Sequence, residues 1–239
     1  MEPNARIALK VKPKLIVFTG AGMSAESGIP TFRGSDGLWE GHRVEDVATP
    51  EAFERQPDLV HQFYNERRRG IAQAQPNAGH LALVSAESDW DLQIITQNVD
   101  NLHERAGSSK VLHLHGRIDQ ARTMEARPSI IDIEGDLNSS SCLPDGRKLR
   151  PNIVWFGELV PAISEAQNLV QLADAMLVVG SSLQVYPAAG LLFELPNDRP
   201  LVLVDPGKAG LHRPGLHHLQ MGASEGIPQA LAHLKSLFF

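Results

Sequence analysis

The sequence predicts an α/β fold, a Rossmann-like doubly wound parallel sheet with a small inserted module. The first observation behind this prediction is that short, nearly continuous apolar runs alternate along the chain with stretches of helical periodicity. Parallel strands that are covered by helices on both faces show this pattern. The second observation is a glycine-rich turn beginning at Gly20, directly after the first apolar run, as in many strand–turn–helix units.

The individual elements follow from the local pattern. Apolar, largely β-branched runs predict strands at residues 15–19, 92–96, 111–114, 153–156, 175–179 and 201–204. Apolar residues at helical spacing predict helices at 51–70, around 80–88, at 163–172 and at 227–239. Residues 117–152 are polar and break the alternation. We therefore expect one domain over residues 1–239, made of a Rossmann-like part (14–36, 81–116 and 153–239), a helical insertion (37–80) and a small module (117–152).

Composition limits the possible function classes. A chain of 239 residues with 42% hydrophobic residues can bury a substantial core. The net charge of −6, without a basic stripe, argues against nucleic-acid binding. The first ten residues lack the apolar region of a signal peptide, and no apolar run reaches transmembrane length. A single cysteine, Cys142, excludes an internal disulfide and suits a reducing compartment. We expect a cytoplasmic protein with no nucleic-acid or membrane partner.

The glycine-rich turn is suited to holding a pyrophosphate. Gly20 permits the tight turn, Gly22 lets the backbone approach the phosphates, and Ala25 takes the third small position of the motif. The helix that follows offers free N–H groups and a positive dipole end. After Gly28 the chain forms a loop, where a dehydrogenase would have a second strand and an acidic residue about 20 positions on. The pattern predicts dinucleotide binding without hydride transfer.

Amide and carboxylate side chains follow the predicted strand at 92–96. Gln97 and Asn98 offer donor and acceptor together, which suits ribose hydroxyls and a carboxamide, and Asp100 lies close by. The alternative is that Asn98 and Asp100 cap the helix that follows. This segment alone leaves the capping interpretation the stronger one.

Two further strand ends carry polar residues. Ser181 and Ser182 follow Gly180 and could bond phosphate or ribose oxygens, cap a helix, or do both. Asp205 ends the predicted strand at 201–204, where its carboxylate could hold ribose hydroxyls. Both segments lie where α/β folds place ligands.

His113 and His115 alternate with leucines, so both are expected on one face of a strand. A metal pair is conceivable, but no third ligand lies nearby in the sequence, and a partly buried structural histidine is more common. One of them beside a ribose could instead act as a general base. Gly116 suggests a tight exit and a close backbone approach after His115, which favours His115 for this role.

Taken in order, these motifs resemble those of the sirtuins, the NAD-dependent protein deacylases, over roughly residues 10 to 230. The most specific parts are the segments at 20–33, 96–100, 113–116, 152–158 and 180–185. The resemblance implies one catalytic domain that uses NAD, acts on acyl-lysine proteins or peptides, and releases nicotinamide and O-acyl-ADP-ribose.

The resemblance also implies a role for each motif. His115 would be the general base on the ribose hydroxyls. The substrate peptide would pair, through main-chain bonds, with a strand formed by Val154, Trp155, Phe156 and Gly157. The residues implied to bind NAD are Gly20, Ala21, Gly22, Phe32, Arg33, Gln97, Asn98, Asp100, Gly180, Ser181, Ser182, Asp205 and Ala223. Asp205 departs from the family pattern, which usually has Asn there.

Tyr64 and Arg67 lie three residues apart in a predicted helix and so share a face, where a phenol and a guanidinium can clamp a carboxylate. The alternative is ordinary packing for Tyr64 and a solvated helix face for Arg67, Arg68 and Arg69. Within the sirtuins, Tyr-x-x-Arg at this place resembles the class that removes succinyl, malonyl and glutaryl groups. Thr31, where deacetylase-type members generally carry Asp, indicates the same. We predict removal of both acidic acyl groups and acetyl.

The sequence departs from the family at the zinc module. Most sirtuins hold a structural zinc with two Cys-x-x-Cys pairs, whereas this interval contains only Cys142 and no histidine between residues 117 and 211. We therefore predict no structural zinc. The module must be held by packing on the main sheet or by its own apolar residues, such as Ile118, Ile130, Ile131, Ile133 and Leu143, and partial disorder of 120–150 is the alternative.

Two other functions fit the same motifs. An NAD hydrolase or ADP-ribosyltransferase would use the same scaffold, although His115 would have less to do there. A non-catalytic NAD-binding or protein-interaction module is the other, and the intact set of Gln97, Asn98, Asp100 and His115 argues against it.

Overall fold

The computed structural model describes residues 11–31, 39, 41–208, 213 and 215–239. The strands are β1 (Lys14–Thr19), β2 (Asp91–Thr96), β3 (Val111–His113), β4 (Gly116–Thr123), β5 (Ile130–Asp132), β6 (Leu149–Ile153), β7 (Ala175–Val179), β8 (Leu201–Val204) and β9 (Leu216–Leu219). The helices are α1 (Gly22–Ala25), α2 (Val44–Val47), α3 (Pro50–Arg55), α4 (Pro57–Gln73), α5 (Ala78–Ala86), α6 (Leu102–Ala106), α7 (Ile163–Gln171) and α8 (Ala223–Phe238), with a 3₁₀ helix at Ala188–Glu194.

Within the described residues, six parallel strands form one sheet in the order β3-β2-β1-β7-β8-β9. The strand order reverses at β1, because β2 lies on one side of it and β7 on the other. This topology confirms the predicted doubly wound α/β fold. The register aligns Thr19 with both Thr96 and Val179. The loops after these strands therefore leave from the same edge of the sheet, where this fold class binds ligands.

Both faces of the parallel sheet are covered, which explains the nearly continuous apolar runs. In β1, Leu15 and Val17 belong to one buried cluster and Ile16 and Phe18 to another. Helices α5 and α8 contribute to the first cluster, and α7 and the 3₁₀ helix contribute to the second. The sheet is thus a rigid support for the loops at its carboxyl edge.

A second, antiparallel sheet has the order β5-β4-β6 in the described part of the chain. Its buried centre is formed by Ala121, Leu137 and Leu149, with Ile131, Ile133 and Leu143 packed against them. The packing predicted for these last three residues is confirmed. The prediction is wrong for Ile130, which is 53% exposed. Ile118 packs instead with a third buried cluster, called the helical cluster below, whose members come largely from α2, α3 and α4: Trp39, Val47, Ala48, Ala52, Val60, Phe63, Tyr64, Ile71, Ile118, Ile153 and Trp155. Strand β5 and most of β4 and β6 lie within residues 117–152, so this interval contains regular structure.

Helix α4 holds the small sheet through polar contacts. The Arg68 Nε donates to the Ile118 carbonyl at 2.8 Å, and its Nη1 donates to the Gly135 carbonyl at 2.9 Å. The same Nη1 donates to Asn65 Oδ1 at 2.9 Å. Asn65 in turn donates to the Leu137 carbonyl at 2.8 Å and accepts from the Leu137 N–H at 3.0 Å. The module is therefore fixed to α4 by hydrogen bonds that do not involve Cys142, an exposed free thiol.

Several predicted element bounds are wrong. The predicted helix 51–70 is two helices, because Gln56 precedes Pro57 and takes a non-helical conformation. The predicted strand 153–156 is wrong, since β6 ends at Ile153 and belongs to the small sheet. Strand β9 was not predicted. None of the helices that the structure describes is both long and apolar enough to cross a membrane.

Candidate active site

Three glycines bring the carboxyl ends of β1 and β7 into contact. The Gly20 N–H donates to the Val179 carbonyl and the Gly22 N–H to the Gly180 carbonyl, both at 2.9 Å. A Cβ added to Gly22 would lie 2.6 Å from the Gly180 Cα. Gly180 has φ +59°, and its Cβ would lie 2.4 Å from the Gly22 carbonyl carbon. These positions therefore exclude side chains and leave bare backbone at the point where the strand order reverses.

The turn after β1 also presents a free backbone donor. Among the described residues, the Ala21 N–H has no acceptor, while Met23 and Ser24 donate back into the turn. A single unpaired N–H beside bare glycine backbone suits an anionic ligand. Ala25 is exposed, so its predicted packing against the strand is wrong.

Side chains tie this turn to the loop after β2. The Asn98 Nδ2 donates to the Gly20 carbonyl at 3.0 Å, and the Ser24 hydroxyl donates to Asp100 Oδ2 at 2.9 Å. Burial raises the pKa of Asp100. The capping alternative is right for Asp100, whose Oδ1 accepts from the Leu102 N–H at 3.1 Å, and wrong for Asn98. Ser24 was missed as a site residue, although it stands inside the glycine-rich motif.

Gln97 connects three strand ends. Its N–H donates to the Thr19 carbonyl at 2.9 Å, and its Nε2 donates to the Ser181 hydroxyl at 3.0 Å. The Ser181 hydroxyl also accepts from the Leu183 N–H at 3.3 Å. The helix-capping alternative is wrong for Ser181 and Ser182, because the next helix begins only at Ala188. Gln97 and Ser181 thus lie together at the carboxyl edge of the parallel sheet.

His115 is held through one ring nitrogen. Its Nδ1 lies 3.1 Å from the Gln97 carbonyl, which can only accept, so Nδ1 carries the proton and Nε2 is the basic nitrogen. In the described part of the chain, Nε2 has no hydrogen-bond partner. Burial lowers the pKa of His115, so the ring is neutral at physiological pH. Gly116 has φ +80°, and a Cβ there would lie 2.0 Å from the Asn152 carbonyl oxygen, which explains the glycine after His115.

His113 is a structural residue. Its Nδ1 lies 3.0 Å from the Asn98 carbonyl, and its Nε2 lies 2.7 Å from Glu104 Oε1. Both ring nitrogens are therefore engaged. The part of the chain that the structure describes contains no group of three or more His, Cys, Asp or Glu residues that could hold a metal ion.

Two further predicted NAD residues, Asp205 and Ala223, lie at the far end of the same edge. The Asp205 Oδ1 accepts from the Gly207 N–H at 2.8 Å, just after Val204, whose carbonyl accepts from the Gly180 N–H at 2.9 Å. Ala223 is buried at the start of α8. The next residue, Ser224, donates its N–H to Glu26 Oε2 at 2.9 Å, which connects α8 to the glycine-rich segment. Phe32 and Arg33 lie outside the described residues.

The predicted clamp residues are buried in the helical cluster. Tyr64 is fully buried, and Arg67 is 7% exposed with its guanidinium carbon 4.3 Å from the Trp39 ring centroid. Burial raises the pKa of Tyr64, which keeps the phenol protonated. The solvated-face alternative is wrong for Arg67 and Arg68, which are both buried, and right for Arg69, which is exposed and paired with Asp136. Trp39 was not singled out from the sequence.

Residues 154–157 form a turn rather than a strand. The Val154 N–H donates to the His115 carbonyl and the Phe156 N–H to the Ala48 carbonyl, both at 3.0 Å. The Trp155 N–H donates to Glu158 Oε2 at 2.8 Å. Pairing with a peptide through these three N–H groups is therefore not possible in this conformation. In the described part of the chain, the Val154 carbonyl and the Gly157 N–H keep free bonding capacity.

A doubly wound sheet with bare glycine backbone at its switch point defines a dinucleotide-binding Rossmann-like protein. The family model described as the Sir2 family matches residues 20–187. The chain belongs to the Sir2 family, which confirms the resemblance and identifies it as a member of an NAD-dependent enzyme family.

Relatives and solved structures agree with this assignment. The "NAD-dependent protein deacylase" of Aggregatibacter actinomycetemcomitans is 53% identical over 82% of this chain and 94% of its own length. The protein of the same name from Bacteroides thetaiotaomicron is 46% identical over 90% of this chain and 95% of its own. A Sir2 homolog–NAD complex has a TM-score of 0.82 at 36% identity, covering 95% of this chain and 91% of that one. A Sir2 homologue mutant in complex with ADP ribose has a TM-score of 0.85 at 37% identity, covering 95% and 93%.

Proposed function

We propose that this protein is an NAD-dependent protein-lysine deacylase that removes succinyl- and malonyl-type groups as well as acetyl. Its products would be nicotinamide and O-acyl-ADP-ribose. The observation that carries the proposal is the state of His115: its Nδ1 is fixed by the Gln97 carbonyl at 3.1 Å, and its basic Nε2 is left for a reacting hydroxyl. Relatives named NAD-dependent protein deacylase at 46–53% identity support it.

The residues at the switch point fit NAD. Gly20, Gly22 and Gly180 leave backbone with no side chains, which a pyrophosphate can approach closely. The unpaired Ala21 N–H is a donor for a phosphate oxygen. When bound, NAD supplies a ribose carbon from which nicotinamide departs and ribose hydroxyls that receive the acyl group.

Each neighbouring side chain has a proposed role toward the cofactor. Asn98 and Asp100 would line the nicotinamide pocket, since Ser24 and Gly20 hold both in place. Gln97 would contact the ribose. Ser181, Ser182, Asp205 and Ala223 would complete the cofactor-binding set toward the adenosine end. Phe32 and Arg33, outside the described residues, would contact the nicotinamide end.

His115 would take the proton from a ribose hydroxyl. A general base works best in its neutral form, and burial lowers the pKa of His115, which favours that form. The Gln97 carbonyl fixes the ring orientation and the tautomer together. Two requirements of a base, protonation state and direction, are thus met by the chain itself.

Tyr64 and Arg67 would select acidic acyl groups. Both are desolvated, and a buried guanidinium and a protonated phenol on one helix face can both donate to a carboxylate. The acyl-lysine peptide would dock at Val154, Trp155, Phe156 and Gly157. Because three N–H groups of this turn are already engaged, the peptide would bond to the remaining main-chain groups.

We also propose that the module needs no zinc. Arg68 and Asn65 hold the small sheet to α4 with charged and polar hydrogen bonds, as a metal would hold a loop-rich module. The single cysteine, exposed and free, supports a reducing compartment such as the cytoplasm.

The test is to incubate purified protein with NAD and matched acetyl- and succinyl-lysine peptides and to determine the products by mass. Peptide-dependent nicotinamide release with O-acyl-ADP-ribose supports the proposal. Nicotinamide release without peptide would instead indicate an NAD hydrolase or ADP-ribosyltransferase, and NAD binding with no turnover would indicate a non-catalytic module. His115→Ala should abolish deacylation and leave NAD binding intact, and substantial residual turnover would remove His115 from its role.

A further inference from the structure

Tyr64 does not stand alone in the helical cluster. Its hydroxyl oxygen accepts a hydrogen bond from Trp155 Nε1 at 3.1 Å. A phenol that accepts from one neighbour turns its own proton away from that neighbour. The bond from Trp155 therefore sets the direction in which Tyr64 can donate.

The Trp155 indole is itself held in place by two neighbouring side chains. The Arg150 guanidinium carbon lies 4.0 Å from the centroid of its ring. The Phe53 ring packs against it with centroids 5.2 Å apart and planes tilted by 40°. Trp155 is 3% exposed, so this side chain is surrounded by protein and has no free surface for a peptide.

Arg150 and Glu158 fix the backbone of the same residue. The Arg150 Nη2 donates to Glu158 Oε1 at 2.6 Å, while Glu158 Oε2 accepts from the Trp155 N–H at 2.8 Å. The Arg150 side chain is 4% exposed and that of Glu158 25%. This partly buried ion pair thus contacts the Trp155 indole ring through Arg150 and the Trp155 main chain through Glu158.

We propose that Trp155, held by Arg150 and Glu158, is a positioning residue for acyl selectivity: it turns the proton of the Tyr64 hydroxyl away from the indole, so that the phenol can donate to an acidic acyl group. This inference rests on the proposed function of the Tyr64–Arg67 pair. It assigns the Trp155 side chain a role separate from the main-chain docking of the peptide. Trp155 acts only through Tyr64, so its effect requires the Tyr64 hydroxyl.

A purely structural role for Trp155 makes a different prediction. Loss of packing alone would weaken all substrates alike, because acetyl- and succinyl-lysine use the same turn. If the Tyr64 hydroxyl is no longer held in one donor direction, only substrates that hydrogen-bond to the phenol are affected. The two roles are therefore separated by KM values measured with matched peptides.

The experiment is a double-mutant cycle of Trp155→Phe and Tyr64→Phe, with KM and kcat measured for succinyl- and acetyl-lysine peptides of the same sequence. Phenylalanine keeps an aromatic ring at position 155 and removes the N–H donor. We expect Trp155→Phe to raise the ratio of the succinyl KM to the acetyl KM by about 2- to 12-fold, the range of one ordinary hydrogen bond. In the Tyr64→Phe background, the same change should have no further effect on that ratio.

Arg150→Lys provides a second variant if Trp155→Phe folds poorly, as judged by its thermal midpoint. Lysine can still pair with Glu158 but loses the planar stack on the indole. We expect a smaller, succinyl-specific rise in KM that also disappears in the Tyr64→Phe background.

Three results would overturn the inference: an unchanged succinyl KM, an equal rise for acetyl, or additive effects in the double variant. A wild-type enzyme without succinyl activity would overturn the proposed selectivity and this inference together. A wild-type enzyme whose succinyl activity depends on Arg67 but not on Trp155 would overturn this inference alone.

Discussion

Replacing Arg67 by methionine should remove the preference for acidic acyl groups and spare acetyl. Arg67 is 7% exposed, and its side chain lies against Trp39 with the guanidinium carbon 4.3 Å from the ring centroid. Methionine has a similar unbranched apolar stem, so the packing on Trp39 is largely kept while the charge is lost. The change therefore isolates the electrostatic contribution of the side chain.

The magnitude follows from the desolvated environment. A charge-assisted hydrogen bond contributes about 1.5–3 kcal/mol, which corresponds to about 10- to 200-fold in affinity. We expect Arg67→Met to lower kcat/KM for a succinyl-lysine peptide by this factor. The acetyl-lysine peptide has no carboxylate to lose and should change by less than about 3-fold.

The chain offers a matched control two positions away. Arg69 lies on the same helix, but its side chain is 54% exposed and paired with Asp136 on the surface. Arg69→Met should change neither activity by more than about 2-fold, because exposed ion pairs contribute little. The assay is initial-rate kinetics on peptides that differ only in the acyl group. Equal losses of succinyl and acetyl activity in Arg67→Met would refute the clamp.

Three further predictions concern the base, the module and the metal. Burial lowers the pKa of His115 below the usual value of about 6.5, so the base loses its neutral form only at lower pH. In a pH profile with acetyl peptide, kcat/KM should therefore fall with decreasing pH only below about pH 6.5. A fall that begins above that pH would contradict a buried neutral base. Arg68→Met should lower the free energy of unfolding by about 2–4 kcal/mol in urea denaturation, because it leaves the buried Ile118 carbonyl without its donor and removes the hydrogen bonds to Asn65 and to the Gly135 carbonyl; a cost no larger than that of Arg69→Met would refute this role. Treatment with a chelator should leave the thermal midpoint and activity unchanged, and stoichiometric zinc in elemental analysis of the untreated protein would contradict the zinc-free module.

The parallel strands could be predicted from the sequence because their signal is local. Strands β7 and β8 have the predicted bounds, and β1 and β2 each begin one residue earlier than predicted. A strand buried on both faces must be apolar at every position, so the run itself marks the element. Strand β9 carries no such signal, since its sequence of two leucines around two histidines is neither continuous nor alternating. It is a strand because its backbone pairs in parallel with that of β8.

The turn at 154–157 shows why an apolar run can mislead. Ile153, Val154, Trp155 and Phe156 read as a strand, yet only the first belongs to β6. The Trp155 N–H donates to Glu158, three residues on, but the N–H groups of Val154 and Phe156 donate to the carbonyls of His115 and Ala48, which lie in distant parts of the chain. No local pattern contains these two contacts, because their acceptors become neighbours only after folding.

The sequence alone determined the family, the parallel sheet and the chemistry of the strand ends, because glycine spacing and apolar runs report on backbone requirements that are local. Only the tertiary structure decided which nitrogen of His115 is basic, which arginine of the run at 67–69 is buried toward Trp39, and what holds the module. Each of these depends on a partner far away in the chain: the Gln97 carbonyl for the histidine, the Trp39 ring for Arg67, and carbonyls of the small sheet for Arg68. Burial and hydrogen-bond direction are properties of the packed molecule, and they decide what each of these side chains can do.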